Sequence, residues 1–265
     1  MKTWTTLLVA SLFLWSGIAN AQQYEPSVGQ EGKDVIWVPT PDELVSAMLD
    51  LAQVTSDDFV MDLGSGDGRI VIAAAKRGAR ATGIEYNPDM VALSKRNAEK
   101  AGVSDKATFI NADLFATDFS KATVITMYLL PQLNLKLRPT LLGLKPGTRV
   151  VSHAFNMGDW PFDQTTEKEG RTAYLWIVPA KVEGVWTWPS GTGKAELKLT
   201  QNYQMVNGTL ETAGKEQALK NGKLYGSQIS FVCGDQEFSG QINGKVIDGM
   251  VKAPGREQKW TATAQ

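Results

Sequence analysis

One stretch limits the fold more than any other: V-M-D-L-G-S-G-D-G-R-I, from Val60 to Ile70. An apolar run closes at Asp62-Leu63 and gives way to Gly64, Gly66 and Gly68, spaced two apart. Glycines at this spacing suit a turn that visits positive φ, and they let a ligand approach backbone that any Cβ would screen. A turn from a strand into a helix also points backbone N–H groups and the positive end of the helix dipole toward the strand's carboxyl edge. The expected class is therefore α/β, with a ligand at that edge.

The surrounding pattern agrees. Strand-like runs at Phe59–Leu63, Ala81–Glu85, Thr108–Asn111, Val124–Tyr128 and Arg149–His153 alternate with helical stretches. Those stretches are Arg69–Arg77, Pro88–Ala101 closed by Gly102, and a segment from Gln132 bent or interrupted at Pro139. A further helix begins at Thr40-Pro41-Asp42-Glu43, with Thr40 as N-cap, Pro41 first in the helix and Glu43 completing a capping box. Alternation of this kind implies a parallel sheet with helices on both faces, a Rossmann-like doubly wound arrangement. Thr172–Val178 has no helix before it and is expected to close the sheet as part of a hairpin. After about Lys181 helical periodicity disappears. Short apolar runs recur around Asn207-Gly208, Asn221-Gly222 and Asn243-Gly244, and Asn-Gly is a strong hairpin signal. Residues 35–181 thus form one domain, and 182–265 a small all-β antiparallel domain, a barrel or a sandwich.

The beginning of the chain reads differently. Lys2, an uncharged apolar run from Leu7 to Ile18, and then Ala19-Asn20-Ala21 have the layout of a cleaved signal peptide over residues 1–21. The alternative is a short uncleaved membrane anchor, but about a dozen apolar residues fall short of the roughly 20 that span a bilayer, so a mature chain without a transmembrane segment, exported to the periplasm, is expected. A polar leader, 22–34, follows. The 27 basic and 28 acidic residues nearly balance and form no basic stripe, which argues against a nucleic-acid substrate. Cys233 and His153 are each the single residue of their type, so no disulfide, cysteine-based metal site or histidine cluster is expected.

The ligand follows from the acidic residues. The spacing G-x-G-x-G followed by Arg69 breaks the dinucleotide fingerprint, and no Gly-Lys-Ser/Thr follows. Asp62 at the strand end and Asp67 in the turn would repel a pyrophosphate, whereas they suit a ligand carrying an ammonium and a sulfonium. Glu85 ends the second strand, where a carboxylate can take both ribose hydroxyls. Asp113, just past the third strand, falls where an adenine amino group would lie.

D-L-G-S-G-D-G, I-E and N-A-D, in that order on successive strands, resemble the class I S-adenosylmethionine-dependent methyltransferases over roughly Val35 to Pro179. With V-P-T-P at Val38–Pro41 upstream, the chain is similar to bacterial methyltransferases distantly related to non-SET histone lysine methyltransferases and to the lysine methyltransferases of the mitochondrial ATP synthase. The resemblance implies S-adenosylmethionine as cofactor, with Asp62, Gly64, Gly66 and Gly68 at its methionine end, Glu85 on the ribose and Asp113 on the adenine. For the acceptor it implies less, since Met127–Pro131 reads M-Y-L-L-P and lacks the Asn-Pro-Pro-aromatic motif of DNA and glutamine methyltransferases. The acceptor is expected to be a protein, with lysine nitrogen as first choice, or a small molecule.

Two residues are candidates for catalysis. Tyr128, past the fourth strand, either orients an amine with its ring and hydroxyl or only lines the cleft. His153, at the end of the fifth strand, either acts as a base or bonds a loop carbonyl. Asp159-Trp160 either walls the acceptor pocket or anchors its loop. A different class of reading is an exported binding module whose methyltransferase fold is catalytically silent.

Overall fold

The computed structural model describes residues 24–265; the expected signal peptide, 1–21, lies outside the described residues. Five parallel strands make up most of the first sheet: β1 (Phe59–Leu63), β2 (Arg80–Glu85), β3 (Ala107–Asn111), β4 (Val124–Met127) and β5 (Arg149–His153). An antiparallel hairpin, β6 (Gln164–Lys168) and β7 (Arg171–Ile177), completes it in the order β3-β2-β1-β4-β5-β7-β6. The order reverses beside β1, and in open α/β sheets that switch point is where ligands bind. Register brings Asp62 beside Thr126 and Leu63 beside Ile84, so the strand ends carrying Asp62, Glu85, Asn111 and His153 share one carboxyl edge.

Helices α1 (Asp42–Leu51), α2 (Arg69–Lys76) and α3 (Pro88–Lys100) cover one face of the sheet, and α4 (Pro131–Leu141) covers the other. β1, β2, β4, β5 and β7 divide their apolar side chains between two cores. Val60 packs with Leu44, Met48 and Val71, while Met61 and Leu63 pack with Ile125, Leu137 and Trp176. Two expectations change at helix ends. The side chain of Thr40 does not cap α1; Pro41 is the N-cap residue, and the first turn draws its support from Asp42 and Glu43 at the dipole's positive end. α4 runs through Pro139 to Leu141 without interruption; the Leu135 carbonyl that Pro139 leaves without an intrahelical donor belongs to an exposed residue, where water can take it.

The second part is a closed eight-stranded antiparallel barrel: β8 (Gly184–Ser190), β9 (Gly193–Asn202), β10 (Met205–Thr212), β11 (Lys215–Tyr225), β12 (Gln228–Cys233), β13 (Gln236–Asn243), β14 (Val246–Ala253) and β15 (Arg256–Ala264). Trp186, Trp188, Trp260, Phe231 and Phe238 fill its interior. Of the three Asn-Gly pairs only Asn243-Gly244 forms a hairpin turn. Asn207-Gly208 and Asn221-Gly222 lie inside β10 and β11, where the pairing register shifts. The positive φ that Asn-Gly supplies serves a bulge here instead of a turn. Two barrel strands escaped the sequence reading: β11, whose first half is exposed on both faces, and β14, whose apolar residues are interrupted by Asp248 and Gly249; the strand-like runs Tyr203–Val206 and Thr209–Thr212, read apart in the sequence, join in the single strand β10. Among the described residues no helix is long and apolar enough to cross a membrane.

The barrel docks through its β9–β10 and β11–β12 turns. The indole Nε1 of Trp160 donates to Gln204 Oε1 at 3.1 Å, and Gln204 Nε2 donates to the Pro161 carbonyl at 2.6 Å. The Ala180 amide donates to the Gly226 carbonyl at 2.8 Å, and Lys223 lies 3.4 Å from Asp163.

The bulge at Gly208 gives a direct test of barrel closure. A Cβ at this residue would stand 1.8 Å from the Lys198 carbonyl oxygen, whereas one at Gly214 would meet nothing. Gly208→Ala should therefore cost at least ~2 kcal/mol, against about 1 kcal/mol for Gly214→Ala, which carries only the positive-φ cost. In thermal melts followed by tryptophan fluorescence this predicts a loss of about 4–8 °C for the first and about 2–4 °C for the second.

Candidate active site

A cavity of about 330 Å³ opens at the carboxyl edge, within the range of small-molecule sites. Asp62, Gly64, Gly66, Asp67, Glu85, Asp113 and Tyr128 line it. Gly68 and His153 are not among the lining residues. Gly68, at φ 83°, starts α2, and a Cβ there would stand 2.7 Å from the Phe109 ring. Its place in the sequence motif reflects helix packing. His153 is 1% exposed and sits behind Tyr128.

Glu85 is the hub of the cofactor side. One carboxylate oxygen accepts from the Gly66 amide and the other from the Asn87 amide, both at 2.9 Å. The carboxylate thereby ties the turn after β1 to the turn after β2. Asp62 is 2% exposed, and its single side-chain bond comes from the Thr126 hydroxyl at 2.7 Å. Burial pushes its pKa up to about 7; the Thr126 bond opposes the shift, and the neighbouring Glu85 and Asp67 carboxylates add to it. Asp113 pairs with Lys33 at 2.6 Å and accepts from the Phe115 amide at 2.9 Å; both bonds hold its pKa below the usual carboxylate value.

The sequence reading missed one wall. Residues 30–40 fold back over the cavity as a narrow loop, with the Gly29 amide donating to the Trp37 carbonyl and the Trp37 amide to the Gln30 carbonyl, both at 2.9 Å. Trp37 lies on the glycine turn, 2.7 Å from where a Gly66 Cβ would stand, and the Lys33 ammonium lies 4.6 Å from the Tyr86 ring centre. The expected leader, 22–34, is thus part of the site from Gln30 onward. The available signal was the apolar run Val35–Val38, with Trp37 inside it, placed directly before a helix start.

On the acceptor side, Tyr128 is bracketed by two aromatic rings. His153 lies 3.8 Å away between centroids and Phe155 6.2 Å away. Both rings come from one three-residue turn, in which the Phe155 amide donates to the His153 carbonyl at 2.8 Å and Ala154 has φ 63°. A γ-turn with positive φ is rare and strained, and such strain gathers at functional sites. Fully buried Asn134 of α4 holds the turn open, donating to Ser152 Oγ at 3.1 Å and to the Phe155 carbonyl at 3.2 Å. Asp159 and Trp160 anchor their loop instead of walling the cavity: Tyr203 donates to Asp159 at 2.9 Å, and Trp160 is 1% exposed. Burial and the nearby Arg171 charge hold the His153 pKa at about 4.

The residues present fit S-adenosylmethionine on their own chemistry. Gly64 and Gly66 line the cavity with bare backbone, which a ligand can approach closely. Six acidic residues, Glu31, Asp34, Asp62, Asp67, Glu85 and Asp113, line the cavity against two cationic ones, Lys33 and Arg69, a balance suited to a cationic ligand, and the buried Ser65 hydroxyl has no partner among the described residues.

Known proteins agree with that fit. The ANTKMT methyltransferase domain matches residues 62–164. A protein-lysine N-methyltransferase from Saccharolobus islandicus is 44% identical over 151 residues, covering 54% of this chain and 94% of that protein. A lysine N-methyltransferase of Mus musculus, named for the C subunit of ATP synthase, is 38% identical over 123 residues, covering 46% of this chain and 50% of that one. A crystal structure described as an RNA methyltransferase from Salinibacter ruber, in complex with S-adenosyl-L-homocysteine, is 53% identical with a TM-score of 0.54, covering 55% of this chain and 96% of that one.

The raised pKa of Asp62 predicts how cofactor affinity depends on pH. The form that attracts a cation is the carboxylate, which forms fully only above about 7. The Kd for S-adenosylmethionine should weaken by up to ~10-fold for each pH unit below that value, and Asp62→Asn should flatten the profile. Calorimetric titrations between pH 5 and pH 7 check this; a flat wild-type profile would remove Asp62 from the cofactor contact. Stability without ligand should change little over the same range. Asp62 is relieved of its ionisation cost as pH falls from about 7 toward 4, while His153 loses stability between its ordinary value and about 4. The two effects oppose one another.

Proposed function

The chain belongs to the class I S-adenosylmethionine-dependent methyltransferases, and from that premise we propose that it methylates a lysine side-chain nitrogen of a protein. One observation carries the reading of the acceptor: Tyr128, braced by His153 and Phe155, presents an aromatic wall in the same cavity as the cofactor carboxylates. An aromatic face attracts an amine that arrives as its ammonium form. The names of the archaeal and mouse relatives, both lysine N-methyltransferases, support the same choice.

The chain's own residues then divide the task. Glu85 and Asp113 would receive the ribose hydroxyls and the adenine amino group, and Asp62 would face the cationic methionine end. The cofactor supplies an electrophilic methyl carbon on a good leaving group. What remains is alignment, which in such displacements accounts for most of the acceleration. A lysine ammonium, with pKa about 10.4, must lose its proton before attack. His153, held at about 4, is a poor base for that step, so the proton leaves to water and turnover rises with pH.

The apolar run Leu7–Ile18 before Ala19-Asn20-Ala21 supports action outside the inner membrane, on envelope proteins. The alternative acceptor is RNA, since the Salinibacter relative is described as an RNA methyltransferase; the balanced charge and the absence of a basic stripe favour protein.

Incubation of the full chain with methyl-labelled cofactor and separate protein and RNA fractions of an envelope-plus-cytosol extract tests both readings. The expected result is label in protein, recovered as methyl-lysine after hydrolysis. Label in RNA alone would replace the acceptor while leaving methyl transfer intact. Glu85→Ala should weaken cofactor binding at least ~10-fold, through loss of charge-assisted bonds to buried hydroxyls. N-terminal sequencing of protein from fractionated cells should begin at Gln22; an intact Met1 in the cytosol would remove the export reading.

A further inference from the structure

The V-P-T-P stretch reads in sequence as a helix start, yet the Thr40 hydroxyl caps nothing. It is 4% exposed and lies 3.0 Å from His153 Nδ1, between elements 113 residues apart in the chain. No other bond to this hydroxyl occurs among the described residues. The direction of the bond to His153 follows the imidazole tautomer: with the imidazole proton on Nε2, Nδ1 accepts from the hydroxyl, which has no other acceptor in reach among the described residues. The backbone of the same residue faces the other half of the site, where the Thr40 carbonyl accepts from Arg69 Nη1 at 2.9 Å. The Arg69 guanidinium in turn grips Asp67 at 2.7 Å, beside the glycine turn.

We propose that Thr40 is a positioning residue for methyl transfer: its hydroxyl fixes the His153 ring, and that ring fixes Tyr128 in the acceptor wall. The inference rests on the methyltransferase reading and adds to it how the acceptor wall is held. The His153 and Tyr128 centroids are 3.8 Å apart with the planes tilted by 32°, so a rotation of the imidazole displaces the phenol. Nothing but packing and the Thr40 hydroxyl sets that rotation. Phe155, on the far side of Tyr128, belongs to a turn already pinned by Asn134. One residue thus ties the loop over the cofactor to the aromatic wall that meets the amine, through its carbonyl on one side and its hydroxyl on the other.

The test compares Thr40→Val, which keeps the shape and removes the donor, with Thr40→Ser, which keeps the hydroxyl. Both retain the carbonyl bond to Arg69, so the Kd for S-adenosylmethionine should stay within about twofold of wild type in each. With poly-L-lysine as the amine probe, kcat of Thr40→Val should fall at least ~10-fold with KM little changed, and Thr40→Ser should recover most of it. A role in stability alone would not produce that split.

His153 is the only histidine in the chain, so its imidazole nitrogens give an unambiguous NMR signature. Wild type should show the Nε2–H tautomer, and Thr40→Val a mixture of tautomers. A wild-type Nδ1–H tautomer, or a Thr40→Val kcat within twofold of wild type, overturns the proposal. If wild type transfers no methyl group to poly-L-lysine, the acceptor reading fails on that probe. The imidazole spectra then decide the role of Thr40 alone: loss of the single tautomer in Thr40→Val supports it, and an unchanged spectrum overturns it.

Discussion

The Glu85 carboxylate is the constraint on which the site depends. Its two oxygens take the amides of Gly66 and Asn87 and so hold together the turns that follow β1 and β2. The first of those turns places Gly64, Gly66 and Gly68 at φ 80°, 53° and 83°, a backbone that would otherwise be poorly determined. With the turn pinned, Asp62 is shut beneath it and its ionisation becomes expensive. In the proposed function the carboxylate that orders these two turns would also take the ribose hydroxyls, and so have two duties. A ligand that completes its bonding reinforces an arrangement already in place, which is preorganisation in the ordinary sense.

The acceptor side is held by different means. There the chain leaves β5 through a strained three-residue turn, and strain of this kind, costing about 1–3 kcal/mol, persists only where its surroundings over-determine it. Asn134 from α4 and the bond between Thr40 and His153 supply that restraint nearby. Farther along the same loop, the barrel's Tyr203 and Gln204 hold Asp159, Trp160 and Pro161. The β domain is therefore joined to the acceptor-side loop and not merely tethered behind the catalytic domain. Trp160 and Trp176, both almost fully buried, share one core with Leu137 of α4, and Tyr203 of the barrel turn packs against it.

Much of this was legible in the sequence, for a physical reason in each case. The glycine turn, the carboxylates at successive strand ends and the β/α alternation are local or periodic signals, and Asp62, Gly64, Gly66, Glu85, Asp113 and Tyr128, singled out from them, line one cavity. What escaped depends on long-range contact. Thr40 looked like a helix cap because capping is a local preference, and nothing nearby in sequence announces a histidine 113 residues away. The polar leader looked idle because Lys33 gains its meaning only from Asp113, across the fold. Asn207-Gly208 and Asn221-Gly222 signalled positive φ correctly, but only barrel closure decides whether such a residue makes a turn or a bulge. β11 was invisible because an exposed half-strand carries no alternation to read.

The most direct measurement is a crystal structure of the full chain with S-adenosyl-L-homocysteine. The account predicts the ribose hydroxyls on the Glu85 carboxylate, the adenine beside Asp113, and the sulfur directed toward Tyr128. A ligand seated elsewhere, or a cavity that stays empty at saturating ligand while Lys33 remains on Asp113, would contradict it.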